Sequence, residues 1–204
     1  MINRPKIIII SGVPGTGKST IAIKLAETLH YDQLISTDII REVLRSKSRK
    51  NHKPVLFSTT HEAWQFFGKY SSTNVIKGYR YHSSLLFKTL TKLIKNNIKN
   101  GCHTILEGAH LLPEFLNNLN NLNADIYYFF LSPPSYKELE RRFENKNKFR
   151  TKEYLFWKRN IKTIKTIDNW LKNEVKKTNL HLIVNIKIKD TINQMLKIIN
   201  KNET

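Results

Sequence analysis

A glycine-rich stretch near the start of the chain has the residue types and spacing needed to hold a row of phosphates. Residues 12–20 match the Walker A pattern Gly-x-x-x-x-Gly-Lys-Ser, with an apolar run before them and a helical pattern after them. Glycines let the backbone wrap closely around phosphate, and the amino end of a helix adds positive charge. We therefore expect a nucleoside triphosphate here, with Lys18 on its β- and γ-phosphates and Ser19 on Mg²⁺. The residues predicted to bind it are Gly12, Val13, Pro14, Gly15, Thr16, Gly17, Lys18, Ser19 and Thr20.

Two carboxylates follow predicted strands and are expected beside these phosphates. Asp38 comes directly after the second strand, and Glu107 ends the third. Ligands of open parallel sheets bind at the carboxyl ends of the strands, so both should lie at one edge. There Asp38 is predicted to accept the proton of an acceptor hydroxyl or to hold Mg²⁺ through water, and Glu107 to hold Mg²⁺ or the acceptor. The alternatives are a helix cap at Thr37 or Asp38, and a helix-capping or salt-bridging role for Glu107.

The arginines downstream of the Walker A pattern form two groups. The first group is Arg41, Arg45 and Arg80. Because the guanidinium fork fits phosphate and carboxylate, we expect this group to bind an anionic acceptor. The second group is Arg141, Arg142 and Arg150. We expect it to form a lid in which Arg141 binds the nucleotide and Arg142 is catalytic, neutralising charge on the transferred phosphoryl group. Solvated surface charge is the alternative for each arginine.

Strand and helix patterns alternate along almost the whole chain. Strands are predicted over residues 6–10, 33–36, 103–108, 124–131 and 180–186. Helices are predicted after the Walker A stretch and over residues 39–47, 81–100, 134–144, 153–177 and up to about 200. This order predicts an α/β protein with a three-layer parallel sheet of the P-loop NTPase type. We expect a single domain over residues 1–204, with an acceptor-side helical insertion at about 45–80 and a lid at about 141–152.

Length and composition exclude several classes of protein. The chain has 204 residues, 24.0 kDa and one cysteine, Cys102, which excludes a disulfide framework and a cysteine-based zinc site. No stretch approaches the ~20 apolar residues of a membrane span, so a cytoplasmic location is expected. The sequence lacks the Asn-Lys-x-Asp guanine signature. It also lacks the apolar strand ending in Asp-Glu that is typical of motor ATPases.

The chain is strongly basic, with a formal net charge of +19 and a pI near 10.0. Between residues 43 and 106 there are twelve basic residues and one acidic residue. Such a balance favours anionic partners, which include phosphorylated metabolites, nucleic acid and anionic membrane surfaces. The alternative is compositional drift, because the chain is rich in the Lys, Asn and Ile that an AT-rich genome overproduces.

Three stretches together resemble the archaeal-type 2-phosphoglycerate kinase family. They are the Walker A stretch 12–20, Ile-Ser-Thr-Asp-Ile-Ile-Arg-Glu-Val-Leu-Arg at 35–45, and Ile-Leu-Glu-Gly-Ala-His-Leu-Leu-Pro at 105–113. The resemblance implies an adenylate- or shikimate-kinase-like fold and transfer of the ATP γ-phosphoryl group to the 3-hydroxyl of 2-phosphoglycerate. It also implies that Asp38 and Glu107 bind the acceptor or Mg²⁺, that Arg41 and Arg45 face the acceptor, and that His110 belongs to the site.

Two other functions stay open at this point. The basic segment and the aromatic residues interleaved between positions 57 and 70 also suit a kinase directed at RNA or tRNA, comparable with phosphoseryl-tRNA kinase. A non-catalytic nucleotide-binding module is the third reading. The intact Lys18, Ser19, Asp38 and Glu107 argue against that module.

Overall fold

A fully buried strand, β1 (Lys6–Ser11), forms the centre of the sheet. Its residues Ile7 to Ile10 are all 0% exposed. A parallel strand that is covered on both faces needs apolar side chains at every position, which is why this run is uninterrupted. The computed structural model describes residues 4–31, 33–119, 122–146, 151–178 and 180–201.

Five parallel strands are present in these described ranges. β1 pairs on one side with β3 (Thr104–Gly108) and on the other with β4 (Asp125–Ser132). β2 (Gln33–Ser36) extends the sheet from β3, and β5 (His181–Val184) extends it from β4, which gives the order β2-β3-β1-β4-β5. The predicted strands are confirmed, with ends that differ by two residues or fewer. The loop after β1 therefore lies between the carboxyl ends of β3 and β4.

Helices cover both faces of the sheet. They are α1 (Lys18–Leu29), α2 (Thr37–Ser46), α3 (Ser72–Lys99), α4 (Tyr136–Lys146), α5 (Thr151–Lys176) and α6 (Ile188–Lys201). On one face Ile7 and Ile9 pack in a core with residues of α3 and α5, and on the other Ile8 and Ile10 pack with α1 and α6. The predicted three-layer architecture is confirmed. Within the parts of the chain that the structure describes, no helix has the length and apolar character required to cross a bilayer.

The start of α3 was predicted wrongly. The pattern indicated a helix from residue 81, whereas α3 begins at Ser72 and is capped by Ser71, whose hydroxyl accepts a hydrogen bond from the Asn74 backbone N–H at 3.1 Å. Gly78 lies inside this helix and is buried. Short 3-10 turns at Pro54–Phe57 and Ala63–Phe67 precede α3.

Two other predictions near the site change in detail. α2 begins at Thr37, so Ser36 is the cap position, and Thr37 and Asp38 lie within the helix instead of capping it. Part of the predicted lid, residues 147–150 with Arg150, lies outside the described residues.

Gly78 provides the contact at which the segment before α3 packs onto that helix. A Cβ atom at Gly78 would lie 2.6 Å from the carbonyl carbon of Ala63 and 2.6 Å from the Cα of Trp64. These are backbone atoms, which cannot rotate away as a flexible side chain can. The close approach therefore requires glycine at this position.

We expect Gly78→Ala to lower the free energy of unfolding by about 1–3 kcal/mol, because overpacking against backbone forces the Ala63–Phe67 turn to move. The substitution has this effect although alanine is about 1 kcal/mol better than glycine in a helix interior. Urea unfolding measures the change. Asn96→Ala, at an exposed position of the same helix, is the control and should not destabilise. A Gly78→Ala protein as stable as the wild type would contradict this account.

Candidate active site

The Walker A loop has the backbone conformation that encloses phosphate. Gly12, Gly15 and Gly17 have φ values of 149°, 81° and 89°, in the range that side chains disfavour. Neighbours also leave no room for a side chain, because a Cβ at Gly15 would lie 2.6 Å from Leu139 Cδ1 and one at Gly17 would lie 2.6 Å from Asn185 Nδ2. The glycines are thus needed for conformation and for close approach.

Hydrogen bonds hold this loop in place. The Thr16 hydroxyl donates to the Val13 carbonyl at 2.9 Å, and the Asn185 side-chain amide donates to the Thr16 carbonyl at 2.8 Å. The Thr191 hydroxyl in turn donates to Asn185 Oδ1 at 3.0 Å. Asn185 is 2% exposed and directly follows β5. Sequence analysis missed it, and its one available signal was a polar residue at the carboxyl end of the last predicted strand.

A cavity of about 670 Å³ opens over the loop and brings most of the predicted site residues together. Its lining includes Lys18, Ser19, Thr20, Asp38, Arg41, Glu107 and Arg142. The remaining lining residues are Pro14, Gly15, Gly17, Thr59, Thr60, His61, Ala109, Phe143, Phe156 and Trp157. The cavity thus joins the loop after β1, the ends of β2 and β3, and residues of α4 and α5.

Lys18 starts α1 and is 8% exposed, so its charge is concentrated inside the cavity. Its ammonium donates to the Val13 carbonyl at 2.9 Å. The ammonium therefore stays within the loop and can turn from this carbonyl toward a phosphate oxygen. Such a point charge is what the β- and γ-phosphates of a triphosphate require.

The oxygen donors predicted for Mg²⁺ lie in this same cavity. Ser19 offers a hydroxyl, Glu107 a buried carboxylate and Asp38 a carboxylate that is 65% exposed. Within the described residues Glu107 has neither a hydrogen-bond nor an ion-pair partner. No group of three or more His, Cys, Asp or Glu there could hold a metal by itself. The set fits an ion such as Mg²⁺ that takes its other ligands from phosphate and water.

Arg41 and Arg142 approach the cavity from opposite sides. Arg41 lies 3.6 Å from Asp38 and 3.1 Å from Glu42, and its side chain is 16% exposed. Arg142 donates to the Asn185 carbonyl at 2.7 Å and to Glu138 at 3.2 Å. The same Asn185 that holds the phosphate loop therefore also positions the Arg142 guanidinium.

Three predicted residues of the phosphate loop, Gly12, Val13 and Thr16, are not part of the cavity lining. Outside the loop, four predicted site residues do not line the cavity. Arg45 donates to the carbonyls of Leu56 and Ser58 at 2.8 and 2.7 Å, so its guanidinium is used in holding the chain after α2. Arg80 forms a bidentate pair with Glu114, 2.6 Å at its shortest. These two arginines face protein partners instead of the expected acceptor.

Arg141 and His110 are the other two. Arg141 pairs with Glu138 at 2.7 Å on the surface, and its hydrogen bonds are the main cause that lowers the pKa of Glu138 to about 2. His110 is fully buried beneath the site, where its Nδ1 lies 2.8 Å from the Thr37 hydroxyl. It contacts the cavity only through neighbouring residues.

Comparison with known proteins agrees with this geometry. A family model described as an AAA domain, AAA_33, matches residues 7–153. The chain belongs to this family. It is also 28% identical over 198 residues to a 2-phosphoglycerate kinase of Methanocaldococcus jannaschii, covering 97% of this chain and 64% of that protein. A mevalonate-3-phosphate 5-kinase of Thermoplasma acidophilum is 29% identical over 130 residues, which is 63% of each chain. The predicted resemblance is confirmed, and the chain spans a little under two thirds of the length of these curated relatives.

Solved structures similar to this AAA-domain protein share its fold. A shikimate kinase from Acinetobacter baumannii has a TM-score of 0.56 at 14% identity, covering 98% of this chain and 94% of that one. A tunicamycin resistance protein from Deinococcus radiodurans has a TM-score of 0.62 at 15% identity, with 96% of each chain covered. At such low identity the likeness shows the fold alone, and the predicted P-loop fold is confirmed.

Three buried histidines lie at or near the cavity, and of these His61 lines it. His82 stacks on His110 with ring centroids 5.2 Å apart, and His82 Nε2 lies 3.2 Å from the Ser58 carbonyl. Burial, together with the charge of Arg41, lowers the pKa of His61 to about 3 and that of His82 to about 4. Burial also lowers the pKa of His110. These rings therefore pack as neutral groups beside the cationic site.

The lowered pKa values predict that acid destabilises the protein. The unfolded chain binds a proton at each histidine below pH about 6.5, whereas folded His61 stays neutral down to pH about 3. Stability therefore rises with pH across this window and falls on acidification. From pH 7 to 5 we expect each buried histidine to contribute about 2 kcal/mol to the loss. Urea unfolding of His61→Phe should show a loss smaller by about that amount, and parallel curves for variant and wild type would contradict it.

Proposed function

We propose that this protein transfers the γ-phosphoryl group of ATP to an alcohol of a small phosphorylated acid, with 2-phosphoglycerate as the first candidate. The observation that carries the proposal is the single cavity in which the phosphate loop meets Asp38, Arg41, Glu107 and Arg142. The names of the relatives, 2-phosphoglycerate kinase and mevalonate-3-phosphate 5-kinase, support a phosphorylated acceptor.

The proposed reaction is a displacement at the γ-phosphorus. The acceptor oxygen forms a bond to that phosphorus, the bond to the β–γ bridging oxygen breaks, and ADP leaves. The proton of the acceptor hydroxyl passes to the Asp38 carboxylate, which projects into the cavity from the first turn of α2. Atoms and charge are balanced without any further reactant.

The other residues position and neutralise the phosphates. The amides of residues 12–20 and the Lys18 ammonium bind the triphosphate, and Arg142 stabilises charge that develops on the γ-phosphoryl oxygens. Ser19 and Glu107 would hold Mg²⁺, with Asp38 reaching it through water. When bound, this ion supplies electrostatic neutralisation of the β- and γ-phosphates. Arg41 binds the anionic group of the acceptor.

The same proposal gives the two variable segments their roles within a single kinase domain. Residues at about 45–80 form the acceptor-side insertion, because Thr59, Thr60 and His61 line the cavity opposite the phosphate loop. Residues at about 141–152 are proposed as the lid, and among its described residues Arg142 and Phe143 line the cavity.

A kinase directed at RNA is the alternative function. It requires aromatic side chains free to stack on bases. Several of those predicted for this purpose have intramolecular partners instead, since Trp64 contacts Tyr70 with ring centroids 5.2 Å apart and Phe67 contacts Tyr81 at 5.7 Å. These contacts favour a small-molecule acceptor.

An ADP-release screen tests the proposed function. Its panel contains 2-phosphoglycerate, other small phosphorylated acids, sugars, nucleosides and bulk tRNA, each assayed between low and high salt. We expect turnover of a small phosphorylated acid with little salt dependence, and none by the Lys18→Ala variant. Lys24→Ala, exposed on the same helix, is the matched control. Release of ADP with tRNA alone, falling steeply as salt rises, would replace the proposal by the RNA alternative.

We expect Asp38→Asn to lower kcat by about 10²–10⁴-fold, because an amide cannot accept the proton of the hydroxyl. Affinity for a non-hydrolysable ATP analogue should stay within about threefold of the wild type, since the phosphate loop is unaltered. Asp190→Asn, which removes an exposed carboxylate in the first turn of α6, is the control and keeps wild-type turnover. Near-normal kcat in Asp38→Asn would refute the role of Asp38 as base.

A further inference from the structure

One part of the cavity lining has a composition that none of the assigned roles explains. It consists of Thr59, Thr60 and His61 from the segment before α3, and of Phe156 and Trp157 from α5. Arg41, which pairs with Asp38, lines this same cavity. The wall thus offers one guanidinium, neutral polar groups and two aromatic rings.

His61 is the unusual member of this wall. It is 2% exposed, and among the described residues neither ring nitrogen has a hydrogen-bond partner. Its ring lies 5.4 Å from that of Phe156 and 5.3 Å from that of Trp157, measured between centroids. The protein therefore surrounds the imidazole with apolar surface on one side and borders it with the cavity on the other.

A buried imidazole in these surroundings lowers the stability of the fold unless a bound molecule forms hydrogen bonds with its nitrogens. A buried polar group without a partner destabilises the fold, whereas an apolar ring of similar shape would be neutral or better. Phenylalanine or leucine would fill this space at no such cost. Thr60, the residue before it, is 6% exposed and lines the same cavity with a hydroxyl.

We propose that His61, assisted by Thr60, binds the acceptor through a hydroxyl or an anionic oxygen that is not the reacting one, and so determines acceptor specificity. This inference rests on the proposed function and adds its acceptor subsite. A neutral imidazole offers one N–H donor and one nitrogen acceptor, which together complement a hydroxyl, and the donor alone suits a phosphate or carboxylate oxygen.

The surrounding groups fix the class of acceptor that fits. Arg41 takes its anionic group, His61 and Thr60 take its second oxygen, and the rings of Phe156 and Trp157 lie along its carbon skeleton. A small hydroxy acid or its phosphate ester carries these three features. Because His61 packs against Trp157, we expect an acceptor bound beside His61 to change the fluorescence of Trp157.

The test compares His61→Phe with His61→Gln and with His181→Phe. Phenylalanine keeps the ring and removes both hydrogen bonds, and glutamine restores one donor and one acceptor. His181 also packs against an aromatic ring, stacked with centroids 5.4 Å from Phe129, but it lies in β5 and does not line the cavity. Steady-state kinetics give KM for the acceptor and for ATP, and thermal unfolding shows that each variant folds.

We expect His61→Phe to raise the acceptor KM at least about tenfold while the ATP KM stays within about twofold and the melting temperature does not fall. His61→Gln should recover part of the acceptor affinity, and His181→Phe should match the wild type in both KM values. An unchanged acceptor KM in folded His61→Phe would overturn the inference.

A binding measurement separates this inference from the proposed function. If the wild type transfers no phosphoryl group to any acid in the panel, the proposed function fails. Protection of the fold by 2-phosphoglycerate is then measured with a non-hydrolysable ATP analogue present. Protection that is lost in His61→Phe and kept in His181→Phe supports the subsite without turnover. Equal protection in both, or none in the wild type, rejects it.

Discussion

The rest of the site depends on one constraint, which is that the phosphate loop keeps a fixed conformation. Glycine conformations make the loop sterically allowed, but they do not by themselves make it rigid. Rigidity comes from the Asn185 amide on the Thr16 carbonyl, with Thr191 fixing the Asn185 side chain. Because the Asn185 carbonyl also accepts from Arg142, the loop and the lid-side guanidinium share one support. Preorganised donors of this kind stabilise charge without reorganising during the reaction.

A second constraint acts on the acceptor side, where cations stand close to buried imidazoles. Protonated histidines here would repel Arg41 and would have to be desolvated, so the packing keeps these rings neutral. His110, which is stacked on His82, is hydrogen-bonded through its Nδ1 to the Thr37 hydroxyl at the start of α2. Gly108 leaves the room that this arrangement needs, since a Cβ there would overlap the Thr37 side chain. The position of Asp38, one residue later, follows from this packing.

The sequence predicted the parts of the fold and site that depend on local pattern. The isoleucine run, the Walker A loop and the helix after it are contiguous in the sequence. The carboxyl ends of parallel strands meet at one edge of the sheet regardless of the loops between them, so the prediction that Asp38 and Glu107 lie together was correct. What failed depended on partners distant in the chain. The helix was predicted to begin at residue 81 and not at Ser72, because the contact of Gly78 with residues 63–64 leaves no mark on helical spacing. Arg45 was assigned to the acceptor because spacing cannot show that backbone carbonyls already occupy its guanidinium. Asn185 lies 169 residues from the loop that it holds, and only the order of the strands brings them together.

The ion pair between Arg41 and Asp38 links acceptor binding to the proposed proton transfer. In the structure the two groups lie 3.6 Å apart, and Glu42 competes for the same guanidinium. If Arg41 binds the anionic acceptor as proposed, Asp38 loses that partner and its carboxylate becomes free to accept a proton when the acceptor is present. A water molecule, the acceptor in hydrolysis, carries no charge and would leave the pair of Arg41 and Asp38 intact. Because Asp38 is largely exposed, the pair is weak, and an anion held by a cavity-lining guanidinium outcompetes it. With the proposed roles of Arg41 and Asp38, electrostatics would therefore favour transfer to an anionic alcohol over hydrolysis.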